Sequence, residues 1–479
     1  MGYFFVLLGI SWVTGRKNAG NEAFFLGNRN ASWYIVAIGM IGSSLSGVSF
    51  VSVPGWVRDT DMTYLQVVLG FFFGYFIIAK VLLPVFYKLK LTSIYEYLKE
   101  RMGLRSYKTG ASFFLLSKLL GAAARLYLVL MILQTILFDR WHVPFFVTVI
   151  GCILLIWLYT YKSGIRTIIR TDTLQTFCFI AMLLIIIWQV KGHIGFNFSE
   201  MVHDIYDHPR FRLFEFEDWS SKQHFVKQFL SGIFIPVVMT GLDQDMMQKN
   251  LACRNLKDAQ KNMYVYGLMF LPINFILLSL GILLLIFASK FGITLPATGD
   301  DILPILCSSG VLGSSILIFF TLGIIAASFS SADSALTALT TSFSIDILEI
   351  GKDDTPKAKR MRFFVHVFVT IVFTLVILLF RAVNDRSVID AIYTIASYTY
   401  GPLLGLFAFG LFTKRFPRDV VVPYICVAAP VVCLILDYLF GHFFNYRFGY
   451  ELLMLNGIIT FAGLWFSRKT GGTLNGRGL

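Results

Sequence analysis

Long apolar stretches recur along this chain from end to end, separated by short polar connections that carry most of the charge. The runs at Phe146–Tyr159, Ile180–Val190, Phe270–Ala288 and Phe363–Leu379 illustrate the pattern. With flanking residues, such stretches reach the roughly 20 residues a helix needs to cross about 30 Å of hydrocarbon. They show none of the polar/apolar alternation of a membrane barrel, and open strand edges do not survive in lipid, so helices are what remains. The pattern predicts an all-α, polytopic membrane protein of about thirteen transmembrane helices. The first is Met1–Val13, short for a span and read as a retained, truncated membrane helix, since a basic start and a small-residue cleavage site are missing. The others fall approximately at 33–56, 64–88, 109–138, 144–161, 167–191, 227–248, 263–289, 312–348, 362–381, 387–412, 420–440 and 449–467. Connections are mostly short, and Gly192–Val226 is the longest. Its aromatics and mixed charges (His203, Asp204, Tyr206, Arg210, Phe214, Glu215, Trp219) suit an interfacial cap.

Composition agrees: 56% of the 479 residues are hydrophobic and 14% charged, with a mean hydropathy of +0.71, against about 25% charged in soluble domains. The net charge of +13 does not indicate nucleic acid, because its distribution follows the loops. With the N-terminus outside, roughly 27 Lys and Arg fall on the cytoplasmic side and about 11 on the other, which is the asymmetry that sets topology. The expected setting is the plasma (inner) membrane, with lipid and a small-molecule substrate as partners, a cytoplasmic C-terminus and a monomer or weak oligomer. Six cysteines (Cys152, Cys178, Cys253, Cys307, Cys426, Cys433) lie scattered, mostly in apolar segments, and read as small buried hydrophobes.

Two helices carry the wrong residues for an uninterrupted span. Ile41-Gly-Ser-Ser-Leu-Ser-Gly-Val-Ser-Phe-Val-Ser-Val-Pro54-Gly55 places small and hydroxylated residues at membrane depth, and Ser231-Gly-Ile-Phe-Ile-Pro236 through Thr240-Gly241 does so five helices later. Small residues serve close helix packing in any membrane bundle. A broken helix at corresponding positions of two halves is also the arrangement of transporters built on inverted repeats, where freed carbonyls coordinate ions. A third segment, Ala326-Ala-Ser-Phe-Ser-Ser-Ala-Asp-Ser334, is rich in hydroxyls and holds a carboxylate. Ala327, Ser330, Ser331 and Ser334 share one helix face, and such a face is costly in lipid unless it meets a cavity or an ion. Serines also bond their own helix at i−4, which covers each one singly but not Asp333 or the clustering.

Further charges fall at membrane depth. Asp172 stands two residues from Arg170, either as half of an interfacial ion pair or as a ligand on an ion route. Arg125 follows Lys118 on the same face of a helix lined with small residues; it either clamps a substrate carboxylate or pairs with Asp172 or Asp333. No nucleophile elbow, phosphate-binding loop or HExxH motif is present in the sequence, so neither an enzyme nor direct ATP drive is expected.

These segments resemble the sodium:solute symporters, whose members share the leucine-transporter-like fold. The resemblance rests on Glu22-Ala-Phe-Phe-Leu-Gly-Asn-Arg29, Leu83-Pro-Val-Phe-Tyr-Lys-Leu-Lys-Leu-Thr-Ser-Ile-Tyr-Glu-Tyr97, Thr171-Asp172-Thr-Leu-Gln175, Gly241-Leu-Asp-Gln-Asp-Met-Met-Gln248-Lys249 and Ser330-Ser331-Ala-Asp-Ser334. It implies inverted five-helix repeats over 33–191 and 227–412, with broken first and sixth repeat helices, after an extra helix at 1–14 and before two C-terminal helices at 420–467. It implies Na+ as coupling ion, with the main site formed by carbonyls of Gly42, Leu45 and Ala327 and hydroxyls of Ser330 and Ser331. A second sodium is implied at Asp172, Ser330, Asp333 and Ser334, although Asp333 stands where the members that bind it have serine. Ser44, Ser46, Ser49 and Arg125 are similar to the substrate lining of the sialic acid transporters, with Gln66 an added polar contact. The sugar carriers' polar set is replaced by Ser49, Pro236 and Met239. The implied activity is sodium-driven import of a small organic anion, such as sialic acid or a monocarboxylate. A sodium-coupled sugar or polyol symporter and a proton-coupled or uncoupled carrier of the same fold are the alternatives.

Overall fold

The computed structural model describes residues 2–15, 21–160, 164–219, 221–350, 355–383, 388–444, 446 and 448–467. Among them the chain is helical throughout, with one isolated bridge between Ala31 and Cys253 in place of any sheet. The helices that build the bundle are α1 (Gly2–Gly15), α2 (Trp33–Ser44), α3 (Gly47–Thr60), α4 (Tyr64–Ile77, continuing to Lys88), α5 (Leu104–Leu133), α6 (Phe145–Thr160), α7 (Gly164–Ile194), α8 (Phe225–Pro236), α9 (Gln244–Leu251), α10 (Leu256–Lys290), α11 (Ser314–Ser342), α12 (Pro356–Val383), α13 (Val388–Phe412), α14 (Val422–Phe443) and α15 (Leu452–Phe466). Eight spans among the described residues are long and apolar enough to cross a membrane, and ten if the bent pairs α2–α3 and α8–α9 each count as one. The difference from about thirteen lies in α1, α6 and α15. At 14, 16 and 15 residues these rise only about 21–24 Å.

Several helices outrun the stretches expected from hydropathy. α10 begins at Leu256 and α12 at Pro356, six or seven residues before their apolar runs. These added turns (Leu-Lys-Asp-Ala-Gln-Lys and Pro-Lys-Ala-Lys-Arg-Met) are polar and show nothing on a hydropathy scale. The Asn255 side chain accepts from the Asp258 amide and starts α10. In the long connection, Asn197 and Glu200 form a reciprocal capping box at the start of a short helix, Phe198–Tyr206. That helix buries Met201 and Ile205 and exposes Phe198, Val202 and Tyr206.

The same connection is fastened over the end of α3. Asp61, in a left-handed conformation with φ 55°, receives Arg210 and Arg212 at 3.0 Å each. Glu215 accepts the Glu217 and Asp218 amides and pairs with Arg212, and these contacts hold its carboxyl below the usual carboxylate range. Gln66 is buried here, donating to Gln223 O at 2.9 Å and accepting from the Glu215 amide at 3.0 Å.

Both breaks depend on close packing. α8 lies against α4 so tightly that a methyl on Gly232 would fall 2.2 Å from Val67 O, and one on Gly70 would fall 2.4 Å from Phe229 O. Backbone atoms cannot yield as a side chain can. Gly232→Ala should therefore push α8 off α4 and cost about 1–3 kcal/mol, read as a lower melting temperature of the detergent-purified protein. An unchanged melting temperature would mean that the two helices are not in this contact.

Candidate functional site

The first break follows from sequence. α2 ends at Ser44, where Leu45 (φ −82°, ψ 82°) and Ser46 (φ −74°, ψ 169°) leave helical geometry, and α3 departs at 61°. Carbonyls in the last turn of α2 therefore lose their i+4 amides. Only glycine allows α7 to approach here, since a methyl on Gly42 would lie 2.2 Å from Thr176 Oγ1 and 3.1 Å from Asp172 O. On the far side, α11 brings Ser331, whose hydroxyl donates to Ser43 O at 3.1 Å and to its own Ala327 O at 3.3 Å.

The second break begins at Pro236, continues through a π-turn at Val237–Gly241 and bends 68° into α9. Proline has no N–H to give the helix, and π-turns of this kind accompany functional sites. Asp243 caps α9 by accepting the Asp245 amide at 2.9 Å. All eight residues of α9 are buried although most are polar. Gln244 donates to Thr92 O and accepts from the Ile94 amide, each at 2.9 Å, and Gln248 donates to Phe25 O at 2.6 Å. This polar helix is stable inside the bundle because its side chains bond the backbone of neighbouring loops.

Four helices then converge on one buried carboxylate. Asp172 of α7 accepts Ser330 at 2.6 Å on Oδ1, and Ser43 at 2.8 Å and Ser334 at 3.3 Å on Oδ2. The Lys249 ammonium of α9 stands 2.8 Å from Oδ2. It also donates to Ser334 at 2.8 Å and to Ser43, and lies 3.6 Å from Asp245. Asp172 and Lys249 are both fully buried. Arg170 is exposed and takes no part; residues two apart on a helix do not face each other. The ionic chain continues from Asp245 to Lys118 at 2.7 Å and from Lys118 to Asp243 at 3.2 Å, where Tyr400 donates at 2.8 Å.

Beside this chain lies a cavity of about 140 Å³. Ser44, Ser46, Ser49 and Arg125 line it, as do Ser43, Ser331, Lys118, Asp243 and Asp245. Pro236 and Met239 line it too. Gln66 does not, its amide being held by the outer loop. Aromatic walls come from Trp56, Tyr64, Phe71, Tyr75, Tyr266 and Phe270, with Tyr75 donating to Tyr266 at 3.0 Å and Tyr266 bonded to Ser44 at 2.5 Å. Among the described residues, no carboxylate lies within ion-pair distance of Arg125, whereas Lys118 is met by two. Asp333 is fully buried one residue before Ser334, outside the hydrogen-bonded set on Asp172 and unpaired with Arg125.

The donor set around the first break suits a sodium ion. Gly42, Leu45, Ala327, Ser330 and Ser331 offer only oxygen, and α11 brings the Ser331 hydroxyl to the freed Ser43 carbonyl at this break. Because Ser330 gives its proton to Asp172, its oxygen lone pairs are left for a cation. The sodium:solute symporter family profile matches residues 24–419. This chain belongs to the sodium:solute symporter family. Similar members include the sodium/sialic acid symporter SiaT of Proteus mirabilis, 23% identical over 86% of this chain and 84% of its own length. NanT of Aliivibrio fischeri, also a sodium/sialic acid symporter, is 25% identical over 84% of this chain and 79% of its own. The human sodium-coupled monocarboxylate transporter 2 is 25% identical over 54% of this chain and 42% of its own. A Na+-coupled sialic acid symporter solved substrate-bound and outward-open shares the fold, with a TM-score of 0.81 at 19% identity over 97% of this chain and 95% of that one. Like the rest of its family, this symporter is a sodium-coupled membrane transporter and not an enzyme.

Asp172 can now be given a role in the symporter: it orients Ser330 and neutralises Lys249. Asp172→Ala leaves the buried ammonium with Asp245, at 3.6 Å, as its remaining ion-pair contact among the described residues. Removing one partner of such a pair costs about 3–5 kcal/mol, so thermal unfolding should shift strongly downward. The double variant Asp172→Ala/Lys249→Met should recover most of that loss. Equal melting temperatures for the single and double variants would refute the pairing.

Proposed function

We propose that the symporter imports a small organic anion bearing a carboxylate and several hydroxyls, sialic acid being the best representative, with sodium bound at Gly42, Leu45, Ala327, Ser330 and Ser331. The observation that carries this reading is the lining of the cavity. Both acids there are engaged by Lys118, which leaves the Arg125 guanidinium to face the solute beside a row of serine hydroxyls. A guanidinium meets a carboxylate through two parallel hydrogen bonds. Serines match hydroxyls, and the aromatic walls match the apolar face of a sugar ring. The related sodium/sialic acid symporters support the same class.

The mechanism proposed is alternating access. Sodium joins the α2–α3 break to the α11 face, the solute binds beside it, and one group of helices rocks against the other. We take residues 33–191 and 227–412 as the two inverted repeats, each opening on a bent pair. The setting proposed is the plasma membrane with the N-terminus outside, supported by the basic loops that follow α4, α9 and α11. Each chain encloses its own cavity, in keeping with a monomer or weak oligomer.

Thermal stability of the purified symporter in sodium, with N-acetylneuraminate, pyruvate and glucose as probes, tests the substrate class. N-acetylneuraminate is expected to raise the melting temperature only when sodium is present. Arg125→Ala should weaken that response roughly ten- to 150-fold, the worth of a charge-assisted contact. Stabilisation by glucose, or an N-acetylneuraminate response intact in Arg125→Ala, would overturn the anion reading.

A further inference from the structure

Of the four residues the family resemblance implies for a second sodium (Asp172, Ser330, Asp333 and Ser334), two, Asp172 and Ser334, hold the Lys249 ammonium here. A monovalent cation already lies among these groups, and it is part of the chain. The Lys249 ammonium sits 2.8 Å from Asp172 Oδ2 and 2.8 Å from Ser334 Oγ, and it also donates to Ser43. Three hydrogen-bond donors are all that an ammonium has, and all three are met. With Lys249 fully buried and held at its base by α9, it cannot withdraw to water as a surface lysine would. A sodium ion at Asp172 would face this fixed positive charge within contact distance, and like charges in a low-dielectric site repel strongly.

We infer that Lys249 is a tethered cation that permanently replaces a second coupling ion, so that this symporter binds one sodium, at the α2–α3 break, and not two. The inference rests on the sodium site proposed above and adds to it the ion count. Lys249 also links that site to the cavity. On one side, its partner Asp172 orients the Ser330 hydroxyl. On the other, Asp245 lies 3.6 Å away and lines the cavity with Lys118. A diffusible ion at this position would leave at each transport cycle. The lysine stays, and keeps Asp172 neutralised in both inward- and outward-facing states.

Sodium alone is the probe. Direct binding of radioactive sodium to purified protein at constant ionic strength, with choline as the replacement cation, counts ions per chain. The limiting slope of unfolding free energy against ln[Na+], in units of RT, counts them independently. Wild type is expected to give one by both measures. Lys249→Ala frees the Asp172 carboxylate and its serines, and is expected to give two, while Lys249→Arg keeps the charge and stays at one. Two ions on wild type would overturn the tethered cation while leaving the sodium site itself intact. No sodium on wild type would overturn the sodium site and the count together. A folded Lys249→Ala that still binds one ion would show that the ammonium is not what excludes the second. Should Lys249→Ala fail to fold, the wild-type count and Lys249→Arg decide: two ions on either overturns the inference, and one on both supports it.

Discussion

A lysine and an aspartate that cannot reach water fix the centre of this protein. Burying either alone costs several kcal/mol, and their attraction repays this only when the geometry is good and the remaining donors and acceptors are satisfied. Here Asp172 and Lys249 come from α7 and α9, and the serines completing the set come from α2 and α11. Four elements distant in sequence must therefore meet at one point within a few tenths of an ångström. That requirement explains features that look costly in isolation. Gly42 is needed because α2 has to touch α7. The polar helix α9 has to be inside because it carries the lysine, and its glutamines bond loop backbones so that it can be.

The two breaks are the complement of this fixed centre. Each frees backbone groups at membrane depth, tolerable only where protein or a cavity receives them. At the first, the freed Ser43 carbonyl accepts the Ser331 hydroxyl of α11. At the second, Asp243 caps the new helix and simultaneously receives Lys118 and Tyr400. One carboxylate thus closes a helix end, neutralises a lysine and shapes the cavity wall. Such sharing makes the site brittle toward mutation, and it also couples the cavity to the ion site through a continuous row of alternating charges from Asp243 to Asp172.

Much of this was legible in the chain. Hydropathy gave the helical membrane class, and the small, hydroxylated runs at 41–55 and 231–241 located both breaks to within a turn. Ser44, Ser46, Ser49 and Arg125 do line the cavity. Gln66 is turned away from it because a loop whose course no local pattern records holds its amide. Lys249 ends the 241–249 segment that carries the resemblance, but its burial against Asp172 was not legible, for a physical reason. The expected helix 227–248 stops one residue before it, and a lysine at a helix end normally reaches out to water. Its partner Asp172 is 77 residues away, and nothing local in sequence marks that contact. One signal was available: Asp245 and Lys249 are four apart on a helix following a break, the spacing of an ion pair. Asn274 was similarly readable, as a lone amide beside Pro272 in an apolar run. It lies at the cavity wall, bonded to Phe270 O.

Exchanging a mobile ion for a tethered one changes what the carrier can accomplish. With one sodium and one singly charged anion, the transport cycle moves no net charge, so the membrane potential adds nothing to accumulation and the sodium concentration gradient alone drives it. A second ion would make the cycle carry one net positive charge and add about 2.3 kcal/mol per 100 mV, or about fifty-fold accumulation of the solute at 1.4 kcal/mol per tenfold. A lysine stays with the protein, completes no net movement across the membrane and drives nothing. It does the electrostatic part of the ion's work, neutralising Asp172 and orienting Ser330, without the energetic part. A carrier built this way reaches a lower concentration limit but consumes one ion per solute instead of two. It also keeps its central ion pair intact when external sodium is scarce. Such a compromise suits an environment where the solute is not extremely dilute, and it follows from the chemistry of one buried ammonium.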